Sequence, residues 1–236
     1  MKLLAIETAT EACSVALWID GEVHERFEVA PRQHSALVLP WAEALLSEAG
    51  LARTALDAVA CGRGPGAFTG VRLAVSLTQG IALALDRPVV GVSTLAALAA
   101  QAPEDGVPVL AAIDARMGEI YAARFSRDGG MLASTHGEQV VPPEALELPS
   151  HEVHGIGTGF AARDGHLRAR LSSLLASCDP EALPRAAAVA KLAAEAFGRG
   201  EATDAALLQP AYLRDRVALT IREREAAREA GSVSKK

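Results

Sequence analysis

The chain has 236 residues, of which half are hydrophobic and 22% are charged, so a disordered chain is excluded. Its formal net charge of −6 argues against a protein whose main affinity comes from gripping phosphates with Lys and Arg. Aromatics make up only 4%, so the core must be Ala, Leu and Val, which favours helices packed on sheets.

Residues 2–8 (KLLAIET) are a short apolar run, and Ser14–Ile19 is a second. Asp20-Gly21 follows as a hairpin turn signal, and Val23–Val29 alternates loosely as a third strand. The chain therefore opens with a β-meander. In His34–Ala49, Leu37, Trp41 and Leu45 recur every four residues, which predicts a helix ended by Gly50. Pro40 requires either a late start or a kink there. Leu56–Gly62 reads as a buried strand running into a Gly-rich turn, GRGPGAFTG (62–70). A long helix over Val71–Leu85, a strand over Arg87–Val92 and a helix over Ser93–Ala102 follow.

The pattern then restarts. Val109–Ala115 (VLAAIDA) repeats Leu3–Ala9 (LLAIETA), with Asp114 in the place of Glu7. Ile120–Phe125 repeats Ser14–Ile19, and each second strand meets a Gly turn, Asp20-Gly21 and Asp128-Gly129-Gly130. Val153–Gly159 repeats Ala58–Gly64 as a strand ending in glycines. The kept order predicts two α/β domains, residues 1–104 and 105–214, divided in the Pro103–Pro108 linker. A helix is expected over Pro184–Arg199, and a charged, flexible tail over 215–236.

The length allows one large domain or two small ones. Cys13, Cys61 and Cys178 are far apart and form no CxxC, which suggests a reducing compartment. The first apolar run meets Glu7 too early for a signal peptide, and no run reaches the ~20 apolar residues of a membrane span. A cytoplasmic protein with no membrane partner is expected.

The Gly-rich turn is the strongest local signal. A glycine turn before a helix N-terminus can cradle an anion, and Gly62, Gly64 and Ala67 match G-x-G-x-x-A. The acid that a dinucleotide site wants after the next strand is missing, and there is no Gly-Lys-Ser/Thr. The alternative is a tight strand-to-helix turn. The helix after it carries a small-residue stripe, Gly70, Ser76, Gly80 and Ala84, beside an apolar one, Leu73, Leu77 and Ile81. It suits packing on its own sheet or a subunit interface shared with the helix bearing Trp41. Glu7 and Asp114, at strand ends, could hold a metal or activate water. His151 and His154 are three apart on a strand and do not share a face. No Ser–His–Asp or Cys–His set can be assembled from spacing.

ETATEACSVALW, PRQHSALVLP, GRGPGAFTGVRLAVSLTQGIAL, GVSTLAALA, AAIDARMGEIYAARF and PAYLR together resemble the TsaB (YeaZ) family, closest to its gamma-proteobacterial members. The resemblance runs from residue 2 to about Arg214. It implies the actin-like ATPase (ASKHA) fold, with two duplicated RNase-H-like domains. It also implies a non-catalytic subunit of the machinery that forms N6-threonylcarbamoyladenosine next to the tRNA anticodon. Its partners would be a metal-bearing TsaD-type paralogue and a TsaE-type ATPase. Self-dimerisation is possible, tRNA would be met only indirectly, and no cofactor or metal of its own is implied. The paralogue's His-x-x-x-His pair has no counterpart in Ser93–Ala100, and Ala9 stands where a phosphate turn wants Gly. The docking face would comprise His34, Leu37, Val38, Trp41, Leu45, Arg72, Leu73, Ser76, Leu77 and Gly80. The motif turn would comprise Gly62, Gly64, Pro65, Gly66, Phe68, Thr69 and Gly70. A vestigial nucleotide cleft would hold Glu7, Thr8, Thr10, Asp114 and Arg116. The competing readings are an actin-like small-molecule kinase and a peptidase.

Overall fold

The structure, a computed structural model, describes residues 1–214; the tail expected over 215–236 lies outside them. Strands β1 (Lys2–Glu7), β2 (Ala12–Ile19) and β3 (Glu22–Val29) form the expected antiparallel meander. Helix α1 (His34–Glu48) follows, then β4 (Ala58–Gly62), α2 (Phe68–Leu85), β5 (Val89–Val92) and α3 (Thr94–Ala99). Strands β4 and β5 run parallel to β1, giving the order β3-β2-β1-β4-β5.

The second half holds β6 (Val109–Arg116), β7 (Glu119–Asp128), β8 (Met131–Val141), β9 (Val153–Ile156), α4 (Ala162–Arg170), β10 (Leu175–Asp179) and α5 (Ala186–Gly198). Its sheet has the order β10-β9-β6-β7-β8, which is the first sheet's order in the second set of strands. The weak sequence duplication is thus a duplication of topology. Two strands, β8 and β10, were not expected from the sequence. Both are sheet edges, and β8 is largely exposed, so neither carries the apolar signature of a buried strand.

Alternation along the strands of the first sheet divides two cores. Leu4, Ile6, Val15, Leu17, Val59 and Cys61 face α1 and α2. Leu3, Ala5, Ala16, Ala58 and Ala60 face α5, which presents Ala186, Val189, Ala190 and Ala193. Alanine meets alanine across that face, so helix and sheet approach closely, as the aromatic-poor composition requires. Glu25 fixes the start of α5. Its carboxylate accepts from the Ser14 hydroxyl at 2.7 Å, the Ala187 amide at 3.0 Å and the Arg185 guanidinium at 2.6 Å. All strands of the first sheet precede residue 104, yet α5 and Ala205 and Leu208, which follow the second sheet in sequence, pack on the first. Helix α3 joins the two halves. Its Ala97 belongs to the α5 side of the first sheet, while Leu95 and Leu98 pack on β6, β7 and β9.

Pro40 neither starts α1 nor ends it. The helix begins at His34 and runs through Pro40; both Pro40 and Ala36, whose carbonyl loses its helical donor, are exposed. Helix α2 is long and apolar enough to cross a bilayer, but its Val71, Ala74, Val75, Thr78 and Ala82 are buried.

Candidate functional site

Five of the sequence blocks singled out above, far apart in the chain, converge on one cleft of about 610 Å³ between the two sheets. Thr10 and Glu11 come from the β1–β2 turn, Pro31, Arg32 and His34 from the start of α1, and Gly66, Ala67 and Phe68 from the Gly-rich turn. Asp114, Ala115, Arg116 and Met117 come from the β6–β7 turn, and Ala211, Tyr212, Leu213 and Arg214 from the end of the described chain. His34 Nε2 donates to the Thr10 and Ala12 carbonyls at 3.0 and 3.1 Å, which ties α1 to the β1–β2 turn. Arg116 pairs with Asp114 at 3.0 Å, and Arg214 pairs with Glu119.

The predicted cleft residues divide. Thr10, Asp114 and Arg116 line the cleft. Glu7 and Thr8 do not; they are buried behind it, at 1% and 0% exposure. Glu7 accepts from the Ala9 amide at 2.7 Å and from the Thr94 hydroxyl at 3.3 Å. Thr94 Oγ1 in turn accepts from the Gly64 amide at 3.1 Å. Burial outweighs these bonds and pushes the Glu7 carboxyl up to about 7. A strand-end acid walled off in this way cannot reach a ligand in the cleft.

The Gly-rich turn is a packing device. A Cβ on Gly62 would stand 1.7 Å from Glu7 Oε2, and one on Gly70 1.9 Å from the Thr8 carbonyl oxygen. The Ala67 amide, just before the helix, donates to the Ala9 carbonyl at 2.7 Å. The turn is a tight strand-to-helix connection whose glycines are packed against the end of β1 and the residues after it. The turn also receives the late PAYLR block: the Ala211 amide donates to the Arg63 carbonyl at 2.7 Å. Next to it Arg72 Nε donates to the Tyr212 hydroxyl at 2.6 Å, and the Arg72 guanidinium lies 3.6 Å from the Phe68 ring centroid. Tyr212 carried no role in the sequence reading. The PAYLR block was its only signal.

The expected docking face needs correction at two positions. Val38 and Leu45 are core residues, at 0% and 4% exposure. Residues four apart on a helix advance by about 40° around it, so the stripe from Leu37 to Leu45 turns into the core. Leu37, Trp41 and Leu77 are half-buried against that core, while Arg72, Ser76 and Gly80 are exposed. Leu39 and Leu83, absent from the sequence reading, are exposed large apolar residues on the same two helices, at 46% and 68%. Among the described residues, no group of three or more His, Cys, Asp and Glu side chains is placed to hold a metal ion. A constellation that spacing could not assemble does form elsewhere: His154 lies between Ser177 and Asp105.

Residues 22–222 match the family described as "TsaD: tRNA N6-adenosine threonylcarbamoyltransferase". A relative from Escherichia coli, named tRNA threonylcarbamoyladenosine biosynthesis protein TsaB, is 40% identical over 225 residues, covering 92% of this chain and 96% of the relative. The chain belongs to the TsaB family. A Haemophilus influenzae relative of the same name is 37% identical over 231 residues, covering 92% of this chain and 95% of its own. The solved structure of YeaZ from Pseudomonas aeruginosa superposes with a TM-score of 0.80 at 42% identity, covering 90% of this chain and 99% of that one. The fold is therefore the actin-like ATPase type, with two RNase-H-like sheets of common topology. In TsaB terms, the cleft is the groove between the two lobes.

Proposed function

We propose that this chain is a non-catalytic subunit required for tRNA threonylcarbamoylation, the formation of N6-threonylcarbamoyladenosine next to the anticodon in tRNAs that read codons beginning with A. It pairs with a metal-bearing TsaD-type paralogue, which transfers the group, and a TsaE-type ATPase joins the pair. The contact runs through the exposed side of α1 and α2, the same side serves a self-dimer, and tRNA is met through the paralogue. The complex works in the cytoplasm. The observation that carries this reading is the nearly end-to-end match to relatives named for threonylcarbamoyladenosine biosynthesis. The site supports it in two ways. The strand-end acid is sealed from the cleft, and glycines of the Gly-rich turn are packed against the end of β1. Both features suit a chain that keeps the fold for assembly.

The test is reconstitution with the adenylate-forming enzyme, the paralogue, the ATPase, threonine, bicarbonate, ATP and tRNA. Modified nucleoside is expected only when this chain is present. Equal product without it would refute the subunit role and send attention to ATP-dependent small-molecule phosphorylation.

A further inference from the structure

We propose that Ser177, His154 and Asp105 form an activated serine that accepts acyl groups from small activated carboxylic esters, a site separate from the cleft and from the subunit role. His154 is buried, at 4% exposure, and uses both ring nitrogens. Nδ1 lies 2.7 Å from Ser177 Oγ, and Nε2 lies 3.0 Å from each Asp105 carboxylate oxygen. A carboxylate only accepts, so Nε2 carries the proton and Nδ1 presents its lone pair to the serine hydroxyl. This is the polarity that general-base activation of a nucleophile requires. The bond to His154 also holds the Asp105 carboxyl below its ordinary range, as an ionised orienting group must be.

The backbone aims the serine. Strand β10 is the edge of the second sheet, and its pairing with β9 shifts register between Leu175 and Ser177. Ala176 is the extra residue of this bulge. In an unbroken strand Ser177 would share the face of Leu175, which packs with Cys178 and Val153. The bulge instead turns Ser177 to the other face, beside its register partner His154. Ser177 and Ala176 are both exposed residues of this edge strand, so a small reagent reaches the residue from solvent.

In the reaction, Ser177 Oγ bonds to the acyl carbon while its proton passes to His154 Nδ1. The bond from that carbon to the leaving oxygen breaks, and the leaving oxygen takes the proton from Nδ1. Water then attacks the acyl-serine through the same relay, releasing the carboxylic acid and restoring the hydroxyl. Ser177 and His154 are the reacting pair, and Asp105 is a positioning residue.

The test uses the full-length protein with p-nitrophenyl acetate and a fluorophosphonate probe, and locates the adduct by peptide mass spectrometry. Modification is expected at Ser177 ahead of the neighbouring Ser172 and Ser173, and Ser177→Ala should abolish it. His154→Gln should slow labelling by ~10²-fold or more. Because His154 is buried, Asp105→Asn at an exposed position is the fold-safe companion, checked by circular dichroism. It should slow labelling about tenfold or more, with partial rescue in Asp105→Glu, since a carboxylate is needed to hold the ring tautomer. Equal labelling of the three serines, or an unchanged rate in Asp105→Asn, would overturn the proposal. Neither result would bear on the reconstitution experiment.

Discussion

Glu7→Gln separates a sealed structural acid from a working one. In the folded chain, burial raises this carboxyl from 4.5 to about 7. Between those values the folded state binds more proton than the unfolded state, so stability falls as pH rises through the window. Below pH 4.5 the carboxyl costs nothing, because both states are protonated; above pH 7 the full cost is present. A gap of about 2.5 pH units corresponds to roughly 3 kcal/mol at 1.36 kcal/mol per unit, and most of it accrues between pH 5 and 8. Glutamine keeps an oxygen for the Ala9 amide and carries no charge to desolvate. Urea unfolding of both proteins at pH 5, 6, 7 and 8 cancels every other titrating group in the difference. The variant should gain on the wild type by about 2–3 kcal/mol across that range. A difference that stays flat with pH would show that Glu7 is ionised in the fold at neutral pH. The account of a walled-off acid would then be wrong.

Two glycines of α2 should respond in opposite ways. Gly70→Ala drives a Cβ into the Thr8 carbonyl oxygen and should cost about 1–3 kcal/mol or more, read as a lower denaturation midpoint. Gly80→Ala meets open space inside a helix and should add about 0.5–1 kcal/mol. For the docking face, Leu39→Glu and Leu83→Glu should leave the isolated chain folded, because both side chains are exposed, yet weaken binding to the TsaD-type paralogue at least tenfold in calorimetry. Unchanged affinity in both variants would remove α1 and α2 from the interface.

The first lobe was legible because its signals are local. Asp20-Gly21 turns a hairpin, an apolar five-residue strand runs into glycines, and α2 has a long apolar period. The duplication was legible for the same reason, since β1 ends in Glu7, β6 carries Asp114 near its end, and each leads into a second strand before a Gly turn. What was missed depends on partners distant in sequence. Strand β10 is short and half-exposed, and it is recognisable only once β9 lies beside it. Helix α5 reads as an amphipathic Ala helix, but nothing in its own residues says which sheet it covers. That is decided by the alanines of β1, β2 and β4, which are nearly 130 residues or more away.

The Gly-rich turn marks the limit most sharply. From sequence, 62–70 offers an anion cradle or a tight turn, and both need the same glycines for the same reason: backbone must come close to something. The sequence does not name that something. In the fold it is the chain's own β1–β2 turn. Gly62 makes room for the Glu7 carboxyl, Gly70 for the Thr8 carbonyl, and the Ala67 amide is held by Ala9. The interlobe cleft is left lined on this side by Gly66, Ala67 and Phe68, with Phe68 and Arg72 carrying on to the exposed side of α2. Glycines that would elsewhere admit a phosphate are spent here on fixing the angle between β4 and α2. On the subunit reading, that angle aims the docking helix. Gly70→Ala should then weaken the paralogue complex through misorientation as well as lower stability.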